Sequence, residues 1–248
     1  MNRHPLVEAR EVTVRFGGLT AVDAVSAAFA PGELVGIIGP NGAGKTTFFN
    51  ALSGMLAPTS GELFALGERL TGAAPHRFAQ RGIARTFQTP RVFAGFSVAA
   101  NVGFGLRFAG RRRPATGLLK DEHGILALLG LQAQAALPAA AITPSQQRLL
   151  EIGMVLATRP RVLLLDEVAA GLVESEIEAM AQLVHRLRNE LDLTVIWIEH
   201  AVTTLLQHVE RVIVLHEGRK IADGTPAEVV RNPVVVEAYL GDEMVETA

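Results

Sequence analysis

Residues Gly39–Thr47 read GPNGAGKTT and fit the pattern G-x-x-x-x-G-K-[S/T]. The apolar run ELVGII (33–38) precedes them, and the residues from Lys45 to Leu56 have the apolar spacing of a helix. A glycine-rich turn between a buried strand and a helix N-terminus binds phosphate well, because its backbone N–H groups point at the anion. The sequence therefore predicts an α/β fold built around a nucleotide-phosphate site.

Each part of this loop has its own expected role. The glycines let the backbone approach the β- and γ-phosphates. Lys45 is expected to reach the phosphate oxygens, and it is one of three lysines in a chain with twenty arginines. The Thr46 hydroxyl is expected to bind Mg²⁺. The ATP-binding positions expected in this loop are Gly39, Pro40, Asn41, Gly42, Ala43, Gly44, Lys45, Thr46 and Thr47.

Acidic and imidazole side chains end two further apolar runs, VLLLDE (162–167) and LTVIWIEH (193–200). Open α/β sheets bind ligands at the carboxyl ends of their strands, so these side chains are expected beside the phosphates. Asp166 is expected to hold Mg²⁺ through water, and Glu167 to polarise the attacking water. His200 is expected to steady that water, or the charge that develops on the γ-phosphate.

Strand and helix patterns alternate along the rest of the chain. Two strands, VEAREVTVRF (7–16) and VSAAFA (25–30), are predicted ahead of the phosphate loop. From about Pro90 to Pro144 the apolar spacing is helical and β-branched runs are missing, which predicts an inserted helical lobe. Other predicted strands cover 62–65, 83–88, 212–217 and 220–224, and predicted helices cover 76–81, 174–191 and the tail.

Composition excludes several classes of function. The 248 residues include no cysteine, which rules out disulfides, zinc knuckles and thiol catalysis. With a formal charge of −2, one Trp and one Tyr, the chain has neither a basic stripe nor a set of stacking aromatics, so we expect no nucleic-acid partner. The short cluster Arg111–Arg113 is typical of a solvated loop. No run is apolar enough to span a bilayer and no leader is evident, so we expect a chain that is not exported.

Together, and in this order, these motifs resemble the ATP-binding subunits of ABC transporters over essentially the whole chain. The resemblance implies that GPNGAGKTT is the Walker A motif, VLLLDE the Walker B motif and His200 the switch histidine. It also implies that Phe16 stacks on adenine and that Gln88, in ARTFQ, contacts Mg²⁺ and the transmembrane partner.

The resemblance also implies an architecture. The expected fold is an α/β P-loop NTPase core with a parallel sheet flanked by helices, an N-terminal antiparallel β subdomain and an inserted helical subdomain. One ATP-binding domain would cover residues 1–248, with a catalytic core and β subdomain at about 1–90 and 158–241. The helical subdomain, at about 91–157, would include the signature helix, and residues 242–248 would form a tail.

Narrower features resemble one branch of this family. The segments RFGGLTAVDAVS, GIARTFQTPRVF and RNPVVVEAYLGDE are similar to importer subunits for branched-chain and related hydrophobic amino acids. The implied cofactors are ATP and Mg²⁺. The implied partners are transmembrane permease subunits, a second and different ATP-binding subunit in a head-to-tail dimer, and indirectly a periplasmic or surface substrate-binding protein. The chain would lie peripherally at the cytoplasmic face of the membrane.

The segment ITPSQ (142–146) opens a predicted helix and has two interpretations. Thr143 and Ser145 are typical helix caps, yet a helix N-terminus also attracts anions. By resemblance the segment occupies the place of the family's LSGGQ signature, so Thr143, Ser145 and Gln146 would face the partner's ATP. Here Pro144 removes one N–H donor, and Ser145 adds a side chain where the backbone should approach phosphate.

Two more departures from the family pattern lie nearby, at Val168 after the acidic pair and at Val173 in the next loop. With the altered signature, they predict an asymmetric dimer. This chain's own Walker A and Walker B motifs and His200 would hydrolyse ATP with a good partner signature. The site completed by ITPSQ would be slower or chiefly structural.

Three alternatives remain open from the sequence. A related export ATPase, for example of the lipopolysaccharide type, has similar size and motifs. A soluble ABC-type ATPase could serve DNA repair or iron–sulfur assembly, although this chain has no coiled-coil insert and no basic face. A non-hydrolysing regulatory subunit is disfavoured by the intact Glu167 and kept open by the altered signature.

Overall fold

The computed structural model describes residues 4–108, 117–199 and 202–245, and the cluster Arg111–Arg113 lies outside them. The strands are β1 (Val7–Phe16), β2 (Leu19–Phe29), β3 (Leu34–Ile38), β4 (Ser60–Ala65), β5 (Glu68–Arg69), β6 (Ile83–Arg85), β7 (Val162–Asp166), β8 (Thr194–Ile198), β9 (Arg211–His216) and β10 (Arg219–Gly224). The helices are α1 (Lys45–Leu52), α2 (Pro75–Gln80), α3 (Val98–Phe108), α4 (Glu122–Leu129), α5 (Pro144–Ala157), α6 (Glu174–Leu191), α7 (Val202–His208), α8 (Pro226–Val229) and α9 (Pro233–Val245).

The central sheet has the strand order β10-β9-β3-β8-β7-β6, and its strands are parallel except for β10. The strands β3, β7 and β8 are buried at every residue, as expected where helices or another sheet cover both faces. Odd and even positions contribute to two separate apolar cores, one on each face. The predicted α/β fold with a parallel sheet flanked by helices is confirmed.

The register of this sheet brings the predicted motifs to one edge. Strand β8 lies between β3 and β7, with Ile198 opposite Ile37 on one side and Asp166 on the other. The phosphate loop follows β3, and the acidic pair ends β7. Because parallel strands end at the same edge, both motifs lie at the carboxyl edge of the sheet.

A second, antiparallel sheet has the order β2-β1-β4-β5 and confirms the predicted antiparallel β region. Strand β1 has the predicted bounds, but β2 begins earlier than predicted, at Leu19. The hairpin accounts for the difference, because Phe16 already pairs with Leu19 and Arg15 with Thr20 across the Gly17-Gly18 turn. Alternation of apolar residues was too weak there to mark the first half of the strand.

Two elements are shorter than predicted. Helix α1 ends at Leu52 rather than Leu56, because the Ser53 hydroxyl donates to the carbonyl oxygens of Phe49 and Asn50 and Gly54 turns left-handed (φ 72°). Strand β6 ends at Arg85 rather than Gln88. Thr86 still donates to the Leu164 carbonyl oxygen, but the backbone beyond it turns toward α5.

Helices α3, α4 and α5 lie between β6 and β7 in the chain and share one apolar core with the sheet. The turn before α3 is held by the buried Asn101, whose amide nitrogen donates to the carbonyl oxygens of Phe93 and Ser97. Its amide oxygen accepts from the Phe93 N–H. Within the described ranges, no helix combines the length and the apolarity needed to cross a membrane.

Candidate nucleotide site

The phosphate loop joins β3 to α1 and is shaped by its glycines. A Cβ at Gly39 would lie 2.1 Å from the Leu215 carbonyl oxygen, and one at Gly44 would lie 2.2 Å from that of Ala21. Both residues have positive φ, 155° and 92°. The sequence suggested that glycine is needed here to let phosphate approach the backbone. The structure adds a second reason, because a larger residue would also displace the neighbouring backbone.

Lys45, the first residue of α1, folds back over this loop. Its Nζ donates to the carbonyl oxygens of Gly39 at 2.6 Å and Pro40 at 2.8 Å, and the residue is 5% exposed. Burial lowers the pKa of Lys45, and the nearby Glu167 carboxylate partly offsets that effect. An ammonium held by two carbonyl oxygens at the loop is well placed to exchange them for phosphate oxygens.

Asp166, at the end of β7, forms an ion pair with Arg85, a residue to which the sequence analysis gave no role. Its Oδ2 lies 2.6 Å from Nη2 of Arg85 in an ion pair whose side chains are 5% and 9% exposed. Arg85 Nη1 also donates to Asn50 Oδ1 at 2.7 Å and to Ser53 Oγ at 3.0 Å. The carboxylate expected to hold Mg²⁺ is thereby tied to the helix that follows the phosphate loop.

The structure brings two predicted residues into direct contact. Gln88 Nε2 donates to Glu167 Oε2 at 2.7 Å, although the two residues are far apart in sequence. Glu167 is buried, has φ +49°, and donates its backbone N–H to the Ile198 carbonyl oxygen. A non-glycine residue in the left-handed region is uncommon and is often found at functional sites.

Other residues predicted for the ATP site lie in the phosphate loop, at the start of α1 and at the end of β1. Asn41, Gly42 and Thr46 are exposed on the loop and helix start, and Thr47 is half-buried. Phe16 is also exposed, at the end of β1. An exposed aromatic ring is available for stacking.

Pro40 and Ala43 are buried within the phosphate loop. The Ala43 N–H donates to the Pro40 carbonyl oxygen and so helps to shape the loop. His200 lies outside the described residues.

ITPSQ forms a complete capping box at the start of α5. Thr143 Oγ1 accepts from the Gln146 N–H at 3.2 Å, and Gln146 Oε1 accepts from the Thr143 N–H at 3.0 Å. Ser145 Oγ lies 3.1 Å from Thr143 Oγ1. The capping interpretation therefore holds in this structure, and the hydroxyls are engaged within the turn.

The two valine departures have different surroundings. Val168 is buried directly after Glu167 and belongs to one of the two apolar cores. Val173 is exposed and precedes α6, where it offers no side-chain acceptor to the helix N-terminus. Only its backbone is used: its N–H donates to Glu176 Oε2 at 3.3 Å, and its carbonyl oxygen accepts from the Glu176 and Ile177 N–H groups.

Four buried or half-buried charged residues around the site were missed from the sequence: Arg85, Arg148, Glu151 and Glu199. Each is a charge within or directly after an apolar run of a strand or helix. That pattern is a usable signal, because buried charges need partners. Glu199, for example, accepts from the Ala169 N–H at 2.7 Å and from Trp197 Nε1 at 2.9 Å, and burial raises its pKa.

Mg²⁺ is compatible with this donor set. The described residues contain no group of three or more His, Cys, Asp or Glu side chains that could form a metal cage by themselves. Magnesium in nucleotide sites uses one or two carboxylates together with hydroxyl, phosphate and water oxygens. Thr46, Gln88 and Asp166 offer a hydroxyl, an amide oxygen and a carboxylate at one edge of the sheet, and all are oxygen donors.

Two family models match the chain. The model described as ABC transporter matches residues 22–170. The model described as branched-chain amino acid ATP-binding cassette transporter matches residues 219–245. The first match includes both acidic residues and the phosphate loop, and the second covers β10, α8 and α9.

Similar proteins extend over nearly the whole chain. The high-affinity branched-chain amino acid transport ATP-binding protein BraF of Pseudomonas aeruginosa is 37% identical, over 96% of this chain and 98% of its own length. The corresponding protein LivG of Escherichia coli is 36% identical, with the same coverage. A solved ATP-binding cassette of an ABC transporter in its ADP conformation is 28% identical with a TM-score of 0.83, over 96% of this chain and 99% of that chain.

Proposed function

The chain belongs to the ABC transporter family as an ATP-hydrolysing subunit, and from this premise we propose that it drives the import of branched-chain or related hydrophobic amino acids. The similarity of the whole chain to BraF and LivG supports this substrate class. The match of residues 219–245 to the branched-chain model also supports it, through a part of the chain outside the nucleotide site. The export, soluble and non-hydrolysing alternatives are not favoured.

The observation that carries the proposed mechanism is the 2.7 Å contact between Gln88 Nε2 and Glu167 Oε2 beside the phosphate loop. We propose that Lys45 leaves its two carbonyl partners to bind the β- and γ-phosphates. Thr46, Gln88 and Asp166 would hold Mg²⁺, which neutralises charge on the phosphates when bound. Glu167 then accepts the proton of the attacking water. Phe16 stacks on adenine, and His200 steadies the developing charge.

We also propose the head-to-tail dimer, with a different ATP-binding subunit as the partner. Thr143, Ser145 and Gln146 would face the partner's ATP. Because their hydroxyl and amide groups are engaged in the capping box, we propose that this composite site turns over more slowly. The domain division at about 91–157 follows from the same proposal, since α5 carries the signature and starts within that segment.

The permease is proposed to dock on an exposed aromatic cluster, defined as Phe93, Phe96 and Phe104. The ring centroids are 4.9 to 6.2 Å apart, and Phe93 and Phe96 are 49% and 50% exposed. Clustered exposed aromatics are unusual on a monomer surface and are typical of interfaces. The cluster follows Gln88 closely in the chain, so a permease there would sense the nucleotide site from the cytoplasmic face of the membrane.

The test is amino-acid uptake. The chain would be expressed with the permeases, second ATPase and binding protein of its own gene neighbourhood and reconstituted in vesicles. We expect ATP-driven leucine uptake that Lys45→Ala reduces about 100-fold or more, since the phosphate contact is lost. Glu190→Gln, at a surface ion pair, is the matched control. ATPase activity without uptake of any branched-chain amino acid would contradict the proposed substrate class.

A further inference from the structure

We infer that Arg148 and Glu151, which lie one turn apart on α5, are positioning residues. They hold Gln88 and Glu167 at fixed positions relative to ITPSQ, the start of the same helix. This inference rests on the proposed function, in which ITPSQ faces the partner's nucleotide. It assigns a role to two charged residues that the mechanism above does not use. It also gives a physical path between the two ATP sites of the dimer.

Glu151 closes the five-residue segment Phe87–Arg91, hereafter the Gln88 loop. Its Oε2 accepts from the Phe87 N–H at 3.3 Å, and its Oε1 accepts from the Arg91 N–H at 2.9 Å. The residue is 3% exposed, and burial raises its pKa while these two hydrogen bonds lower it. One buried carboxylate thus binds both ends of the loop that presents Gln88.

A side-chain contact also joins the two ends of the Gln88 loop, Phe87 and Arg91. The Arg91 guanidinium lies 4.0 Å from the centroid of the Phe87 ring. A cation over an aromatic face is attracted by the ring quadrupole. With its ends bound to Glu151 and to each other, the Gln88 loop has few ways to move except together with α5.

Arg148 makes the matching contacts on the other side. Its Nη1 donates to the carbonyl oxygens of Glu167 at 2.8 Å and Ala170 at 3.0 Å, and its Nη2 to that of Gln88 at 3.4 Å. Arg148 therefore holds the backbones of both residues in the Gln88–Glu167 contact. Glutamate and arginine three positions apart on a helix point to the same face, so one face of α5 supports the whole arrangement.

This geometry has a consequence for the dimer. The N-terminal turn of α5 is ITPSQ, and its next two turns hold the Gln88 loop and Glu167. A rigid helix transmits displacement along its length. A shift of α5 when the partner's nucleotide binds to ITPSQ would therefore move Gln88 relative to Glu167, and the two ATP sites would be coupled mechanically.

The direct test is amide hydrogen exchange on the full chain without nucleotide. In Glu151→Ala the Phe87 and Arg91 amides should exchange about 10- to 100-fold faster, because each loses a hydrogen bond to a carboxylate. The Thr86 amide, which donates to the Leu164 carbonyl oxygen, should be unchanged and serves as the internal control. Glu151→Gln, which keeps one acceptor, should protect one of the two amides and provides a second variant if the alanine variant folds poorly.

The functional test uses the assembled transporter. Glu151→Ala and Arg148→Ala should lower kcat about tenfold or more and change the Kd for Mg-ATP less than about twofold, because, among the described residues, neither contacts Lys45 or the phosphate loop, which bind most of the nucleotide's charge. Arg148→Lys should restore part of kcat. Glu33→Ala is the matched control, since its carboxylate also accepts from a backbone N–H, that of Ala30 at 2.9 Å, and lies ahead of β3 rather than at the Gln88 loop.

Three outcomes would overturn the inference: unchanged exchange at Phe87 and Arg91, an equal loss of kcat in Glu33→Ala, or a loss of Mg-ATP affinity as large as the loss of kcat. Failure of the proposed function would look different. The wild-type transporter would then take up no branched-chain amino acid, while the exchange result would remain as expected.

Discussion

Arg85 and Asp166 form a buried ion pair in which Nη2 and Oδ2 lie 2.6 Å apart. The Arg85 guanidinium also lies 5.3 Å from the Phe49 ring centroid and 4.8 Å from that of Phe87. Phe49 belongs to the helix that follows the phosphate loop, and Phe87 begins the Gln88 loop. One side chain therefore joins the three segments that carry the proposed ATP site.

Removing one member of this pair should be costly. Arg85→Gln should lower the free energy of unfolding by about 3 to 5 kcal/mol, because it removes the arginine charge that lies 2.6 Å from the buried Asp166 carboxylate. Adding Asp166→Asn to that variant should recover part of the loss, since both charges of the pair are then absent. Urea denaturation of the two single variants and the double variant measures this. Simple additivity of the two single effects would show that the pair is not coupled.

The two ATP sites of the dimer should contribute unequally. Glu167→Gln in this chain should lower transporter ATPase activity about 100-fold or more, because the proposed base is lost from the faster site. The equivalent change in the partner subunit should have a much smaller effect. Steady-state ATPase assays of the two reconstituted variants make the comparison, and equal losses would count against the asymmetric dimer.

The capping box of α5 should serve the partner site as well as the helix. Thr143→Ala should cost about 1 kcal/mol of stability through the lost cap. The same loss is expected for Thr225→Ala, which removes an equivalent capping box from α8. In the assembled dimer only Thr143→Ala should weaken ATP binding at the composite site. If both variants weaken binding alike, the effect is one of stability, and ITPSQ has no role at the nucleotide.

Glu199 should make stability depend on pH. Burial raises its pKa above the ordinary 4.5, so between 4.5 and the raised value the folded chain binds more protons than the unfolded chain. The unfolding free energy of the wild type should therefore fall relative to that of Glu199→Gln as pH rises through this window, and the difference should level off above it. Urea unfolding at a series of pH values tests the sign, and a rising difference would contradict it.

Local patterns in the sequence identified the buried central strands of the fold. Continuous apolar runs identified β3, β7 and β8, because strands covered on both faces need no polar alternation. The short strand β5 and the first half of β2 were missed, since their pairing depends on neighbours in space. The end of α1 was misplaced because the Ser53 hydroxyl and Gly54, rather than apolar spacing, determine it.

For the candidate site, motifs identified residues but not their contacts. GPNGAGKTT and VLLLDE pointed to Lys45, Asp166 and Glu167 through spacing alone. The partner of Asp166 is Arg85, 81 positions away, and no local pattern specifies such a pair. Arg85 and Glu151 could have been identified as charged residues inside apolar segments. Because a buried charge needs a partner, such a residue predicts an ion pair or a hydrogen-bonded site.

The structure of the Glu167→Gln variant with bound Mg-ATP tests the central claim most directly. The account predicts that Lys45 Nζ leaves the Gly39 and Pro40 carbonyl oxygens and lies within hydrogen-bonding distance of the β- and γ-phosphate oxygens. Asp166 and Thr46 should flank the magnesium ion. A nucleotide bound elsewhere, with Lys45 still on its two carbonyl oxygens, would contradict the account.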